Sequence, residues 1–240
     1  MTRILLIGYG LWCWLVFALV ALTALLLGVP APRLAWRRQI ARRVARAYLS
    51  LTGTHFVVRG LEHLPAGPCV VVANHASYID GLVLLAALPA RFAFVIKNEM
   101  VRVPLAGLLL RRLGSEFVER FDRHRGAVDA RRVVRTATSG QALAFFPEGT
   151  FTAQRGLGRF HPGAFVAATR AGVPLVPAAI RGAREVLPPD TLWPRPGRIE
   201  VDILAPLPAP SATGRAAANE LRDATRAVLL ARLGEPDLCV

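Results

Sequence analysis

The chain has 240 residues, 53% of them hydrophobic, which is enough to bury one sizeable core and to carry a membrane segment as well. Its 30 basic residues outnumber 16 acidic ones, for a formal charge of +14, and that surplus calls for an anionic bilayer or phosphate-bearing substrates. Nucleic acid is the weakest partner and none is expected, since no recognised binding motif is present and the N-terminus is strongly apolar.

Residues 4–29 contain no charged side chain, and a helix of that length covers about 39 Å, sufficient to cross a bilayer. The stretch is too long for the apolar region of a cleavable signal peptide, and Pro30 and Pro32 crowd the only small-residue cleavage site, so a retained anchor is expected. Arg33, Arg37, Arg38, Arg42, Arg43 and Arg46 follow it, against Arg3 alone before it. The positive-inside rule then places the following domain on the cytoplasmic face of the cell membrane. Within residues 33–51, Trp36, Ile40, Val44, Ala47 and Leu51 fall largely on one helical face, as an interfacial amphipathic helix requires. An anchor-plus-helix unit over residues 1–53 and a domain over 54–240 follow.

From residue 55 the pattern alternates. Short apolar runs at 55–58, 69–73, 92–96, 116–119, 143–146, 175–180 and 199–204 read as strands, and 79–87, 104–113, 125–138 and 163–171 read as helices between them. This predicts an α/β fold with a mostly parallel sheet covered by helices on both faces. The proline-rich stretch 187–197 reads as a surface loop, and 212–233 as a closing helix. Cys13, Cys69 and Cys239 are isolated, with neither metal-ligand nor disulfide spacing, so no metal site is expected and a reducing compartment fits.

The strand at 69–73 runs directly into Asn74-His75-Ala76-Ser77-Tyr78-Ile79-Asp80. On a continuous helix, positions five apart point about 140° from one another. His75 and Asp80 therefore meet only if His75 lies in a turn, with Asn74 or Ser77 capping a helix near Tyr78 and Asp80 in its first turn. A lone histidine is commonly structural, but a histidine with a carboxylate in that relation is the layout of a general base and its orienting acid. A second string, Phe146-Pro147-Glu148-Gly149-Thr150, also follows an apolar strand, and open α/β sheets gather ligands at such strand ends.

These two strings, with Gly114-Ser115-Glu116-Phe117-Val118-Glu119-Arg120 and Val173-Pro174-Leu175-Val176-Pro177-Ala178, occur in the order of four blocks that resemble the glycerolipid acyltransferase family, typified by 1-acylglycerol-3-phosphate acyltransferases. The resemblance covers roughly residues 55 to 205. It implies a membrane-bound enzyme that moves an acyl chain from acyl-CoA or acyl-carrier protein to a lysophospholipid hydroxyl, with the sn-2 hydroxyl of 1-acylglycerol 3-phosphate as first choice and a lyso-ornithine lipid or another lysolipid as alternative. No cofactor is implied beyond the acyl donor as co-substrate. Members of that family can also carry an N-terminal two-helix element that dips into one leaflet.

His75 is then the base that deprotonates the acceptor hydroxyl, and Asp80 its orienting acid, an arrangement similar to a serine-hydrolase pair with the substrate hydroxyl in place of serine. The resemblance assigns the acceptor to the second and third blocks. Arg120, with its bidentate guanidinium, is the expected phosphate ligand. Asn74, Glu148, Gly149 and Thr150 join it as substrate-binding candidates. Lys97 is a candidate for donor or lipid phosphates, Pro177 for the wall of the acyl site, and Arg181 is a lesser anion-binding candidate. Phe151 departs from the family pattern, where arginine or a small polar residue is frequent, and this leaves the acceptor headgroup open. A third reading, a non-catalytic lipid-binding protein of the same fold, has no need of His75 and Asp80 together.

Overall fold

The computed structural model describes residues 3–119, 123–210 and 214–239, with the backbone alone at 123–127. The apolar N-terminus forms α1 (Arg3–Thr23), prolonged by a π-helical turn at Ala24–Gly28. Together these are 26 residues, long and apolar enough to cross a membrane. After Pro30 and Pro32 the chain reverses into α2 (Leu34–Leu51). Tyr9 Oη donates to the Thr52 carbonyl and Trp12 Nε1 to the Leu51 carbonyl, both at 3.0 Å, so α1 is tied to the far end of α2.

Seven strands follow: β1 (His55–Arg59), β2 (Val70–Ala73), β3 (Ala93–Lys97), β4 (Glu116–Val118), β5 (Leu143–Phe145), β6 (Leu175–Arg181) and β7 (Arg198–Ile203). They form one sheet in the order β1-β7-β6-β2-β5-β3-β4. Strands β6, β2, β5, β3 and β4 run parallel, while β7 is antiparallel to β6 and β1 is parallel to β7. Between them lie α3 (Asp80–Ala87), α4 (Ala106–Arg112), α5 (Arg123–Thr138), α6 (Gly163–Ala171) and the short α7 (Ala183–Val186), and α8 (Arg215–Leu233) follows β7. The expected α/β architecture is therefore present, with all seven strands close to their predicted positions.

Burial alternates across β2. Val71 and Ala73 face a core made with α1, α2, α3 and α7, and Val70 and Val72 face one made with α5, α6 and α8. All four β2 residues are fully buried, as a parallel strand covered on both faces requires. Each of its valines contributes about 1.5–3 kcal/mol of burial free energy. This fixes β2 as the rigid post from which the His75 turn projects.

Helix α2 leaves part of its expected interfacial face exposed. Its buried face is Arg38, Ala41, Ala45, Tyr48 and Leu49, while Trp36 and Leu51 are exposed. Arg38 enters the interior because its guanidinium meets polar partners there: the carbonyls of Leu113, Arg91 and Gly114 and the Gln141 side chain. Leu5, Leu11, Leu15, Leu19 and Leu22 of α1 are exposed as well.

Candidate active site

The ladder between β2 and β6 ends at the pair Ala73 and Ala178. One residue on, Asn74 continues the grip with its side chain: Nδ2 donates to the Ile180 carbonyl at 3.0 Å, and Oδ1 accepts from the Ile180 N–H at 2.7 Å. Both polar atoms of Asn74 are thereby committed to backbone, and the residue is buried. This corrects the expectation that Asn74 caps a helix. It pins the end of the strand.

His75 then lies in a turn, and Asp80 opens α3. The Asp80 Oδ2 atom accepts from His75 Nδ1 at 2.9 Å, from the Ala76 N–H at 2.6 Å and from the Ser77 N–H at 2.7 Å. A carboxylate only accepts, so Nδ1 carries the proton in this pair and Nε2 points away from Asp80. Asp80 is wholly buried, and its charge sits at the positive end of α3. Ser77 is also buried, with its hydroxyl donating to the Leu187 carbonyl at 2.5 Å.

The second string meets the first through Glu148. Its Oε1 accepts from the His75 N–H at 2.7 Å, and its Oε2 from the Gly158 N–H at 2.8 Å. Burial pushes the Glu148 carboxyl above its ordinary value, and these two N–H donors oppose that shift. Glu148, a substrate-binding candidate from the sequence, braces the backbone of the proposed base. Gly149 has φ +77°, a left-handed conformation that disfavours a side chain, and its N–H closes the turn onto the Phe146 carbonyl. At Gly158 a Cβ would lie 2.9 Å from Glu148 Oε2, so only glycine lets the carboxylate reach that N–H.

Aromatic rings enclose the imidazole. Phe146 stacks on His75 with centroids 4.5 Å apart and planes at 24°, and Phe151 meets it edge-on at 4.7 Å. Tyr78 in turn packs edge-on against Phe151 at 4.6 Å. The His75 side chain keeps 18% exposure, so the ring is sheltered yet reachable. Phe146, Tyr78, Gly158 and Leu187 were not singled out from sequence. Aromatic character at Phe146 and Tyr78 was the only local signal, and it carries no geometry.

The remaining candidates are dispersed. Lys97 is exposed at the end of β3 and Thr150 follows the Gly149 turn, both on the sheet edge that bears His75. Pro177 is buried within β6 opposite Val72, on the face covered by α6 and α8. Arg181 is paired through Nη2 with Glu200 and Asp202, each at 2.7 Å, which turns that end of its guanidinium to carboxylates. Arg120 lies outside the described residues.

Residues 55–181 match the family model described as Acyltransferase. A chloroplastic 1-acyl-sn-glycerol-3-phosphate acyltransferase of Brassica napus is 33% identical over 181 residues, covering 72% of this chain and 52% of that protein. The lyso-ornithine lipid O-acyltransferase of Pseudomonas aeruginosa is 34% identical over 199 residues, covering 75% of this chain and 73% of that protein. The chain thus spans about half the length of the first curated relatives and more of others. The crystal structure of a 1-acyl-sn-glycerophosphate acyltransferase from Thermotoga maritima superposes with a TM-score of 0.79 at 22% identity over 95% of both chains.

Proposed function

The chain belongs to the 1-acyl-sn-glycerol-3-phosphate acyltransferase family, and from that premise we propose that it transfers an acyl chain from a thioester donor, acyl-CoA or acyl-carrier protein, to the sn-2 hydroxyl of 1-acylglycerol 3-phosphate. The observation that carries this reading is the His75 Nδ1 to Asp80 contact at 2.9 Å, on a turn whose backbone Glu148 braces. His75 Nε2 takes the acceptor hydroxyl proton as the oxygen attacks the thioester carbonyl. The carbon–sulfur bond then breaks, and the imidazolium returns the proton to the departing thiolate. Asp80 fixes the tautomer and stabilises the imidazolium between the two steps. The acceptor hydroxyl is itself the nucleophile, which leaves Ser77 outside the chemistry.

In this proposal Arg120 holds the acceptor phosphate by analogy with the family's second block, and Gly149, Thr150 and Lys97 border the acceptor and donor on the same sheet edge. Residues 1–53 anchor the protein and 54–240 form the catalytic domain. The arginines after residue 32 favour the cytoplasmic face of the cell membrane, and the exposed apolar side of α1 supplies the bilayer contact. The cationic surplus suits either donor as well as anionic lipid.

One observation favours a second acceptor. Phe151, an uncharged ring, packs against His75 where the family frequently has a basic or small polar residue, and a lyso-ornithine lipid lacks phosphate. An acceptor screen with labelled acyl donor on purified membranes decides between them. Faster turnover of 1-acylglycerol 3-phosphate supports the first reading, faster turnover of lyso-ornithine lipid the second, and failure with every lysolipid removes both.

A further inference from the structure

The segment 187–193 has no part in the proton transfers above, yet it touches both the catalytic turn and the membrane helix. At one end the Leu187 carbonyl accepts the Ser77 hydroxyl at 2.5 Å, and the Ser77 N–H is one of the three donors on Asp80 Oδ2. At the other end the Trp193 indole lies in a notch on α1 at Gly10. A Cβ added at Gly10 would overlap that indole, so only glycine admits it. Trp193 Nε1 donates to the Leu6 carbonyl at 3.0 Å, and Trp14 Nε1 donates back to the Leu192 carbonyl at 3.1 Å. The indole exchange is thus reciprocal between helix and segment.

The segment between these attachments is stiff. Pro188, Pro189 and Pro194 each fix one backbone dihedral. The Thr191 N–H bonds to the Pro188 carbonyl at 3.2 Å, the Trp193 N–H to Thr191 Oγ1 at 3.1 Å, and the Arg195 N–H to the Val186 carbonyl at 2.7 Å. A stiff, internally bonded segment transmits a displacement that a flexible loop would absorb. Leu192 is exposed beside the apolar side of α1, so the same segment adds to the surface that meets lipid.

From these contacts we infer that residues 187–193 are a positioning strap, which couples the seat of α1 in the bilayer to the alignment of His75 and Asp80. Gly10, Trp193 and Ser77 are its positioning residues. None touches the reacting atoms. The inference rests on the proposed His75 chemistry for its kinetic consequence and on the hydrogen bonds alone for its structural one, so the two fail separately. Filling the Gly10 notch or removing the indole leaves the strap tied to α1 by the Trp14 bond alone, which loosens the Leu187 carbonyl on Ser77 and the Ser77 N–H on Asp80.

The test uses the full chain in nanodiscs of phosphatidylethanolamine and phosphatidylglycerol, comparing wild type with Gly10→Ala, Trp193→Ala, Trp193→Phe and the double variant G10A/W193A. Amide hydrogen exchange at Ala76 and Ser77 is read beside acyl transfer. Gly10→Ala and Trp193→Ala are each expected to speed exchange at those two amides and to lower kcat on the order of tenfold with an unchanged acceptor KM, as remote misplacement of a base does. The double variant is expected to be no worse than Trp193→Ala, because both changes break one contact. Trp193→Phe, which refills the notch, recovers most of the loss. Wild-type exchange at Ala76 and Ser77 in both single variants overturns the strap, as does a double variant whose loss is the product of the singles. Should Trp193→Ala fail to fold, Gly10→Ala decides alone, since alanine is the better helix former. Altered exchange in a protein that acylates no lysolipid would keep the strap and remove the proposed reaction.

Discussion

Two groups of carboxylates on this sheet serve opposite ends. At the His75 turn, Asp80 and Glu148 accept four backbone N–H groups between them, from Ala76, Ser77, His75 and Gly158. At the other side, Glu200 and Asp202 on β7 accept arginine side chains instead: Arg59, Arg181, Arg198 and Arg232. A buried carboxylate bonded to backbone dictates the path of the chain, because each N–H it holds fixes a peptide plane. A carboxylate shared among several guanidiniums dictates little, because the arginines are replaceable by one another. Net charge would rank the second group higher. Partner type ranks the first.

The sharpest test of that contrast is His75→Ala, which is expected to abolish thioester-dependent acyl transfer while the protein still floats with vesicles. Near-wild-type turnover would remove the proposed base. Asp80→Asn comes next. Its amide oxygen can take the place of Oδ2 and accept the same three donors, but it carries no charge to stabilise the imidazolium. A fall in kcat of about 10³–10⁴-fold is expected, comparable to loss of the orienting acid in a serine-protease triad, with acceptor KM little changed in a steady-state titration.

Glu148→Gln is expected to cost about 10–100-fold in kcat, the usual effect of altering a group that orients a reacting one. The wild type also carries a signed pH dependence at this residue. Burial raises the folded-state pKa of Glu148 above its unfolded value, so the folded protein takes up this proton more readily than the unfolded chain. Its contribution to stability is then full below the unfolded pKa and is lost as pH rises through the raised folded value. Activity moves the other way, since a protonated Glu148 presents an O–H to one of the two N–H groups it should accept. Glu148→Gln is expected to flatten both trends in paired melting and rate profiles. An unchanged acid limb of the rate profile would detach Glu148 from the turn.

How far these features were legible in the sequence depends on how far apart the partners are. The strands were readable because each is a short apolar run, and the His75 and Asp80 pairing followed from a five-residue spacing that only a turn satisfies. The brace from Glu148 to the His75 N–H joins residues 73 apart, and the Ser77 bond to Leu187 joins residues 110 apart. Such contacts exist only once β5 and β6 flank β2, and strand order is a global property that no local window contains. Arg38 shows the same limit from the other side. An arginine among arginines reads as solvated, and its burial follows from four acceptors supplied by residues 91, 113, 114 and 141.

The smallest expected effect comes from the other side of the contrast. Arg181 ends β6, next to the Ile180 backbone that Asn74 grips, so by position alone it stands close to the catalytic turn. Its guanidinium, however, is turned to Glu200 and Asp202. Removing it leaves Asp202 with Arg59 and Arg232, and Glu200 with Arg59 and Arg198. Neither carboxylate is stranded, which is what makes loss of one partner costly elsewhere. Arg181→Ala should therefore keep kcat and acceptor KM and shift the melting midpoint by at most about 3 °C. A rise in the KM of either substrate would instead make Arg181 an anion ligand of the site, and the division between carboxylates that shape backbone and carboxylates that merely pair would no longer hold at this edge of the sheet.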